Sequence, residues 1–388
     1  MQVINNLNKR VLILGGYGNF GARIAQMLKS EPDIQLIIAG HNKKLADRCA
    51  QSLGGLAEGL RLERDSINLA AQLKALHLDL LIHCAGPYQR ETDYRVAKAC
   101  IEARTPYIDI SDARRFVCDF HRLSPAAKAA GITLVSGASS LPGLSSAALA
   151  EIQKELPVIH SVEAAIAPAH KVERGLATVR SGFESLGESF PQLRNGRWRE
   201  SFAGNHLRSI TLAHPVGKRW LCDFEVPDLE LCPRYLPDLN TALFSTGTEP
   251  LILQAGLSLC AQLSRLNLPA TSSRVARIAH KLSAHWPGGS SHGGMIVRAL
   301  GEDAEGKKSG MQWQILGLDG DGPWIPAAPA VALARKFLRN EILENGALAC
   351  WQLLKLEEIL LELKDYSIVT AIEFLPSEQN ALPALMVS

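Results

Sequence analysis

The chain has 388 residues, enough for two or three domains. Hydrophobic residues make up 47% and charged residues 21%, a balance that excludes a disordered or low-complexity chain. A net charge of +2 supplies no field that would recruit nucleic acid.

The first strong pattern is Val11–Gly21. Four apolar residues, Val11–Leu14, read as a strand buried on both faces. They run straight into Gly16-x-Gly18-x-x-Gly21, and a helical pattern follows from Ala22 to Leu28. In this strand–turn–helix context each glycine has its own task. Gly16 turns the chain off the strand, Gly18 lets a pyrophosphate approach the backbone, and Gly21 lets the helix pack close to the strand. The free N–H groups at the helix start then face the phosphates. Tyr17, Asn19 and Phe20 lie within the same turn and count as cofactor-binding candidates.

Ile34–Ala39 reads as the second strand. NAD enzymes usually place an acid at its end for the ribose 2′-hydroxyl. Here the sequence is Gly40-His41-Asn42-Lys43-Lys44, with no acid and two cations, which suits a 2′-phosphate. NADP is therefore expected over NAD, with His41 and Lys43 as contacts; solvated lysines in the next helix are the bland alternative. A helix over about 43–51 and a third strand near Leu60–Glu63 follow. Asp65 either sits beside the adenine or caps the next helix.

Asp79–Cys84 is a fourth strand, and its loop, Ala85-Gly86-Pro87-Tyr88, belongs at the ligand crevice. A helix over about 92–103 carries Tyr94-x-x-x-Lys98. That spacing looks like the catalytic pair of short-chain dehydrogenases, but it comes too soon after the Ala-Gly loop and reads as an ordinary i,i+4 pair. Pro106–Ile110 is a fifth strand ending at Asp109 and Asp112. A helix over about 113–130 and a sixth strand, Gly131–Ser136, complete the alternation. Six strand–helix alternations describe a doubly wound parallel sheet, an α/β Rossmann domain. The turn-rich stretch 137–145 marks the domain exit.

Taken together, Leu14–Gly21, Ala85-Gly86-Pro87-Tyr88, Tyr107-Ile108-Asp109 and Leu141-Pro142-Gly143 resemble the successive motifs of the saccharopine dehydrogenase-like oxidoreductases. Gly175–Arg180 and Gly322–Pro326 are similar to an uncharacterised bacterial branch of that family. The resemblance implies NAD(P) binding and hydride transfer, a second α+β domain with a mixed sheet, and a tail that returns towards the cofactor domain. It does not imply saccharopine as the substrate.

From Ser161 the pattern changes. Ser161–Ala167, Leu207–Ala213, Trp220–Val226 and Ala242–Thr246 read as strands, and Gly294–Gly301 with Met311–Leu318 as a hairpin. Helices are expected over about 144–155 and 177–186. Two more interrupt the sheet. Thr248 and Pro250 open the first, whose polar stripe is Gln254, Ser258, Gln262 and Arg265. The second, about 273–286, carries Arg274, Arg277 and Lys281 on one face. A basic amphipathic helix beside an apolar one raises weak membrane-surface contact through 248–286, against a buried helix plus a solvated one or a dimer interface. A helix over about 326–343, broken by Gly346, another over 353–363 and a strand over 367–374 close the chain. The expected domains are 1–142, 143–322 and a C-terminal segment, 323–388.

The eight cysteines form no Cys-x-x-Cys and sit among apolar neighbours, as reduced thiols do. No metal site is expected. Met1–Asn6 shows no signal peptide, and no apolar run is long enough to span a bilayer, so a cytoplasmic protein is expected. A homodimer is expected too. The leading functional reading is an NADP-dependent oxidoreductase acting on a small-molecule or lipid-like carbonyl or imine; its rival is a dinucleotide-binding sensor or scaffold without catalysis. Catalytic candidates are His170, Tyr88 and Asp112, with His170 first because its ordinary pKa is nearest neutrality. Asp109, Arg174, Arg180 and His292 are weaker candidates.

Overall fold

The computed structural model describes residues 9–89, 91–172, 182–183, 185–266, 268, 275, 286–341 and 344–376. The chain divides into two compact units. Unit 1 holds Met1–Leu144 and Trp324–Leu363; unit 2 holds Ser145–Pro323 and Lys364–Ser388. The tail is thus shared between the units rather than forming a segment of its own.

Unit 1 alternates strand and helix: β1 (Lys9–Leu14), α1 (Asn19–Leu28), β2 (Ile34–Gly40), α2 (Lys43–Leu53), β3 (Glu58–Arg61), α3 (Leu69–Leu76), β4 (Leu80–His83), α4 (Arg95–Ala103), β5 (Tyr107–Asp109), α5 (Arg114–Cys118), α6 (Ser124–Ala130) and β6 (Thr133–Ser136). All pairings are parallel, and the strand order reverses about β1, with β4, β5 and β6 to one side and β2, β3 to the other. Val11–Leu14 are essentially solvent-free, as a strand covered on both faces requires. A seventh parallel strand, β15 (Gly346–Ala349), extends the sheet beyond β6. Sequence reading took Gly346 for a helix breaker. Its φ of +145°, open to glycine, instead starts this strand, and a Cβ there would lie 2.7 Å from Ser124 Oγ.

Two expected helices change shape. The one over 113–130 is broken into α5, a 3₁₀ turn (Phe120–Leu123) and α6, because Pro125 in the first turn of α6 cannot continue a helix from before it. Tyr94 lies outside α4 with φ +52°, and its hydroxyl donates to Phe116 O at 3.1 Å. Tyr94 caps α4, its carbonyl accepting from Lys98 N at 2.9 Å, but its side chain is buried while that of Lys98 is exposed, so the two do not pair on a helix face.

Unit 2 contains α7 (Ser145–Gln153), β7 (Val158–Ala167), β8 (Ser189–Arg194), β9 (Arg197–Phe202), β10 (Arg208–Thr211), β11 (Lys218–Asp223), α8 (Asp228–Tyr235), β12 (Thr241–Thr246), α9 (Leu251–Arg265), β13 (Gly293–Glu302), β14 (Lys308–Gly317) and β16 (Ile368–Phe374). Its main sheet runs β10-β11-β12-β7-β13-β14-β16 and is mixed: β12 and β7 are parallel, and the other neighbours are antiparallel. β8 and β9 form a separate hairpin. One face of the main sheet buries Ala165, Ala167, Ile210, Leu212, Leu221, Ile296 and Leu316 together. The remaining helices, α10 (Ala328–Leu338) and α11 (Leu356–Leu361), belong to unit 1.

Helix α9 departs from its sequence pattern. Gln254, one residue of its narrow polar stripe, is fully buried; it accepts from Thr248 N at 2.7 Å and donates to Cys222 Sγ at 2.9 Å. Leu251, Ile252 and Leu259 are exposed. Thr248 therefore serves as a partner of Gln254 rather than as the helix cap. Of the basic helix expected over about 273–286, residues 273–274 and 276–285 lie outside the described residues, as do 177–181 and 184 of the helix expected over about 177–186. No helix among the described residues is long and apolar enough to cross a membrane.

Candidate functional site

At the carboxyl edge of unit 1, β1 turns into α1 through residues 15–18. Gly15, not Gly16, takes the left-handed φ of +80°. A Cβ on Gly15 would lie 2.8 Å from Ala85 N, so this turn presses against the loop after β4. At Gly21 a Cβ would lie 2.3 Å from Gly15 O, which is why the helix can start so close to the strand. Gly18 is different. It is exposed, its backbone is extended (φ −79°), and a Cβ would meet only Gly15 O at 3.1 Å. The space in front of Gly18 is therefore open for a ligand. The first turn of α1 contains no acid to compete with an anion.

Tyr17 leaves the turn and lies over the end of β2. A Cβ on Gly40 would fall 2.5 Å from its ring, so glycine is required there, a requirement sequence reading did not draw. The Tyr17 hydroxyl accepts from Asn42 N at 3.1 Å and lies 3.2 Å from His41 Nδ1. His41, Asn42, Lys43 and Lys44 are all exposed. Asn42 caps α2 by accepting from Leu45 N, and Lys43 pairs with Asp47 one turn on. Asn19 and Phe20 are half-buried in the first turn of α1.

Asp65 is exposed and pairs loosely with Arg64 (3.8 Å) and Arg95 (3.6 Å). Helix α3 begins only at Leu69, after Asn68, which removes the capping alternative for Asp65. Arg64, not singled out from the sequence, donates to Ala85 O at 2.6 Å and so ties the residue after β3 to the Ala85-Gly86-Pro87 loop.

Tyr88 is buried, and its hydroxyl donates to His83 O at 2.7 Å. Burial, with the negative charge of Asp109 nearby, pushes its pKa well above the ordinary range. Asp112 is exposed and accepts from Gln89 Nε2 at 3.2 Å. Asp109 is fully buried at the end of β5.

Unit 2 has a polar cluster of its own. Glu249, between β12 and α9, accepts from His170 N (3.0 Å), Ser290 N (2.8 Å), Ser290 Oγ (2.8 Å) and Arg219 Nη2 (2.9 Å). Burial pushes the Glu249 carboxyl up; the Ser290 and His170 bonds and the Arg219 charge outweigh it and hold the carboxyl below its ordinary value. Arg219 also reaches His292 O at 3.3 Å. One carboxylate thus draws the loops bearing His170 and His292 together at the end of β7 and the start of β13. The His170 side chain packs over Gly289, where a Cβ would lie 2.5 Å from it. Glu249 and Arg219 were missed from the sequence because they are neighbours only through the sheet order. Arg174 and Arg180 lie outside the described residues. No group of three or more His, Cys, Asp or Glu suited to a metal occurs among the described residues.

Residues 11–135 match the model of the saccharopine dehydrogenase NADP binding domain. This stretch is a saccharopine dehydrogenase-type NADP-binding domain. NADP is its dinucleotide, in agreement with the missing acid at the end of β2. Among curated proteins none matches the chain. Among solved structures, the apo saccharopine dehydrogenase (L-Glu forming) from Saccharomyces cerevisiae is similar over 95% of this chain and 100% of that one, at 15% identity and a TM-score of 0.68. That likeness extends the saccharopine dehydrogenase-type fold to both units. A mutant meso-dapdh from Clostridium tetani E88 with DAP is more distant, at 15% identity, a TM-score of 0.46, and coverage of 92% of this chain and 98% of that chain.

Proposed function

We propose that the protein is an NADP-dependent oxidoreductase that transfers hydride between NADP(H) and the carbonyl or imine carbon of a small or lipid-like substrate. The observation that carries this reading is the carboxyl edge of unit 1. Its glycine turn is closed at Gly15 and Gly21 but open in front of Gly18, and β2 ends without an acid. The chain's residues fit the group. Gly18 and the first N–H groups of α1 would hold the pyrophosphate, His41, Asn42 and Lys43 the 2′-phosphate side, and Ala85-Gly86-Pro87 the ribose and nicotinamide side. When bound, NADPH supplies the hydride. The protein must supply orientation and a proton.

Of the side chains proposed for that proton, Tyr88 is the weakest, because its hydroxyl is buried and already donates to a backbone carbonyl. His170 remains first, and the Glu249 cluster that fixes its backbone supports the choice. His170→Gln keeps every backbone bond of that cluster. It is expected to lower kcat by a factor of about 10²–10⁴, the usual worth of a general acid–base, with little change in NADPH affinity. The measurement is NADPH turnover across a panel of carbonyl and imine metabolites; undiminished kcat removes His170 from the reaction. Tight NADPH binding with no turnover of any panel member supports the sensor reading instead.

Cofactor preference follows from His41–Lys44. NADPH should bind more tightly than NADH by about tenfold, the equivalent of one charge-assisted contact. Calorimetry with the two cofactors decides it, and equal affinities would count against the assignment of the 2′-phosphate to these residues.

A further inference from the structure

The glycine turn carries a single side chain between Gly15 and Gly18, that of Tyr17, and it crosses from β1 to the end of β2. A Cβ on Gly40 would fall 2.5 Å from the Tyr17 ring and 2.6 Å from its hydroxyl oxygen, so both rest directly on the backbone there. The hydroxyl has two partners. It accepts from Asn42 N at 3.1 Å and lies 3.2 Å from His41 Nδ1. A backbone N–H only donates, so the Asn42 bond uses an oxygen lone pair and leaves the phenol proton to be placed. The lone pair of His41 Nδ1 receives it, and the neutral imidazole then carries its own proton on Nε2. If the ring gains a second proton, the bond reverses. Nδ1–H donates to the remaining lone pair of the Tyr17 oxygen, and Nε2–H is still a donor. In either charge state the Tyr17 hydroxyl satisfies Nδ1 and leaves Nε2–H facing outward from the pair. The two rings meet edge-on, their centroids 6.0 Å apart.

We infer that Tyr17 is a positioning residue that determines cofactor choice: its hydroxyl, seated on Gly40, holds His41 so that Nε2–H is the donor offered to the 2′-phosphate of NADP. This rests on the cofactor placement proposed above, in which the 2′-phosphate lies at His41–Lys43.

The neighbouring groups leave this task to His41. Asn42 is committed twice: its N–H goes to Tyr17, and its side chain accepts from Leu45 N at 3.2 Å, where it caps α2. Lys43 is turned to Asp47, one turn along α2. His41 is exposed, and among the described residues only Tyr17 hydrogen-bonds its ring. No acid stands at the end of β2 to take the 2′-hydroxyl of NAD in its place. The position of Tyr17 in the chain suits the task as well. The 5′-diphosphate and the 2′-phosphate flank one ribose, and Tyr17 reaches from the turn proposed for the first to the residues proposed for the second. A phenylalanine would cover Gly40 equally well. The hydroxyl is the part that packing does not require, and it is the part that fixes His41.

The test uses the full chain as wild type, Tyr17→Phe, His41→Ala and the double variant, titrated calorimetrically with NADPH and with NADH. Tyr17→Phe keeps the ring over Gly40 and removes both hydroxyl bonds. Its NADPH affinity should fall by about tenfold, one charge-assisted hydrogen bond, while NADH binds within about twofold of wild type and so shows the variant to be folded. His41→Ala should lose about as much. In the double variant the two losses should not add, because Tyr17 acts through His41. Ring ¹⁵N shifts of the free wild type at about pH 8 should show His41 protonated at Nε2, with Nδ1 accepting a hydrogen bond. In Tyr17→Phe the Nδ1 signal should move to that of a solvated nitrogen. Equal effects of Tyr17→Phe on the two cofactors, additive losses in the double variant, or a wild-type ring proton on Nδ1 would overturn the inference. Wild-type protein that binds neither cofactor, or both equally, refutes the 2′-phosphate placement and the inference with it. Wild type that prefers NADPH, with a preference that Tyr17→Phe leaves intact, refutes the role of Tyr17 alone.

Discussion

Gly18→Asp should abolish NADPH binding while leaving the thermal transition of the free protein where it is. The backbone at Gly18 is extended, so an L-residue fits it without strain. Among the described residues a Cβ there meets only Gly15 O, at 3.1 Å, a tight contact that a shift of a few tenths of an ångström relieves. The carboxylate would stand where the pyrophosphate must lie, and like charges brought together cost several kcal/mol, about 100-fold or more in affinity. Gly21→Ala is the contrasting variant. Its Cβ would fall 2.3 Å from Gly15 O and 2.8 Å from Gly16 Cα, against backbone that cannot swing aside. That variant should lose stability as well as binding. Calorimetric titration with NADPH and a thermal scan of each free variant check both outcomes; undiminished NADPH-induced stabilisation in Gly18→Asp would refute the assignment of this turn to phosphate.

Much of unit 1 was legible because its signals are local. A buried parallel strand is an apolar run, and the glycine turn sits between such a run and a helix, so β1, β2 and β4 stand near their expected positions. What the chain hid follows from non-local terms. The strand at 346–349 is short and sits far along the sequence from its partner β6, so nothing in its own residues identified the neighbour. The β8–β9 hairpin did carry a local signal that was passed over: Asn195-Gly196, both with positive φ, between two strands rich in alternating polar residues. Helix α9 misled for the opposite reason. Its polar stripe names no partner, yet Gln254 is buried because Thr248 and Cys222 offer it partners that only the tertiary fold supplies. The candidate site divides the same way. The Gly-rich turn was legible, whereas the Glu249–Arg219 pair depends on which strand ends the sheet brings side by side.

Asp223→Ala should be the most destabilising single substitution tested in unit 2. Asp223, at the end of β11, is fully buried, yet it is the common acceptor for Gln192 (2.9 Å), Arg194 (3.0 Å), Ser201 (2.7 Å), His206 (2.8 Å) and Arg208. Arg208 also reaches Glu163 at 3.3 Å, and Arg298 approaches the same carboxylate at 3.8 Å, so the charges form one connected group on β7, β8, β10, β11 and β13. Burial alone would push the Asp223 carboxyl up. The hydrogen bonds from His206 and Arg208 and the charges of Arg208 and Arg194 outweigh it and hold the carboxyl well below the usual range. Its folded pKa therefore lies beneath its unfolded value, so its contribution to stability is present above about pH 4 and lost as the pH falls further. Removing the side chain takes from the largely buried guanidinium groups of Arg194 and Arg208 the carboxylate they share, a change that typically costs about 3–5 kcal/mol. Urea unfolding followed through Trp220, on the neighbouring stretch of β11, reads that loss. Wild type and Asp223→Ala should differ most near neutral pH and converge below about pH 4, because protonation does to the wild type what the substitution does to the variant. Arg208→Met alone should also destabilise, and the Asp223→Asn/Arg208→Met pair should cost less than the sum of its two single changes, because each member removes the charge that strands the other. Strictly additive losses, or an Asp223→Ala deficit that is the same at every pH, would show that the cluster does not act as a coupled charge network.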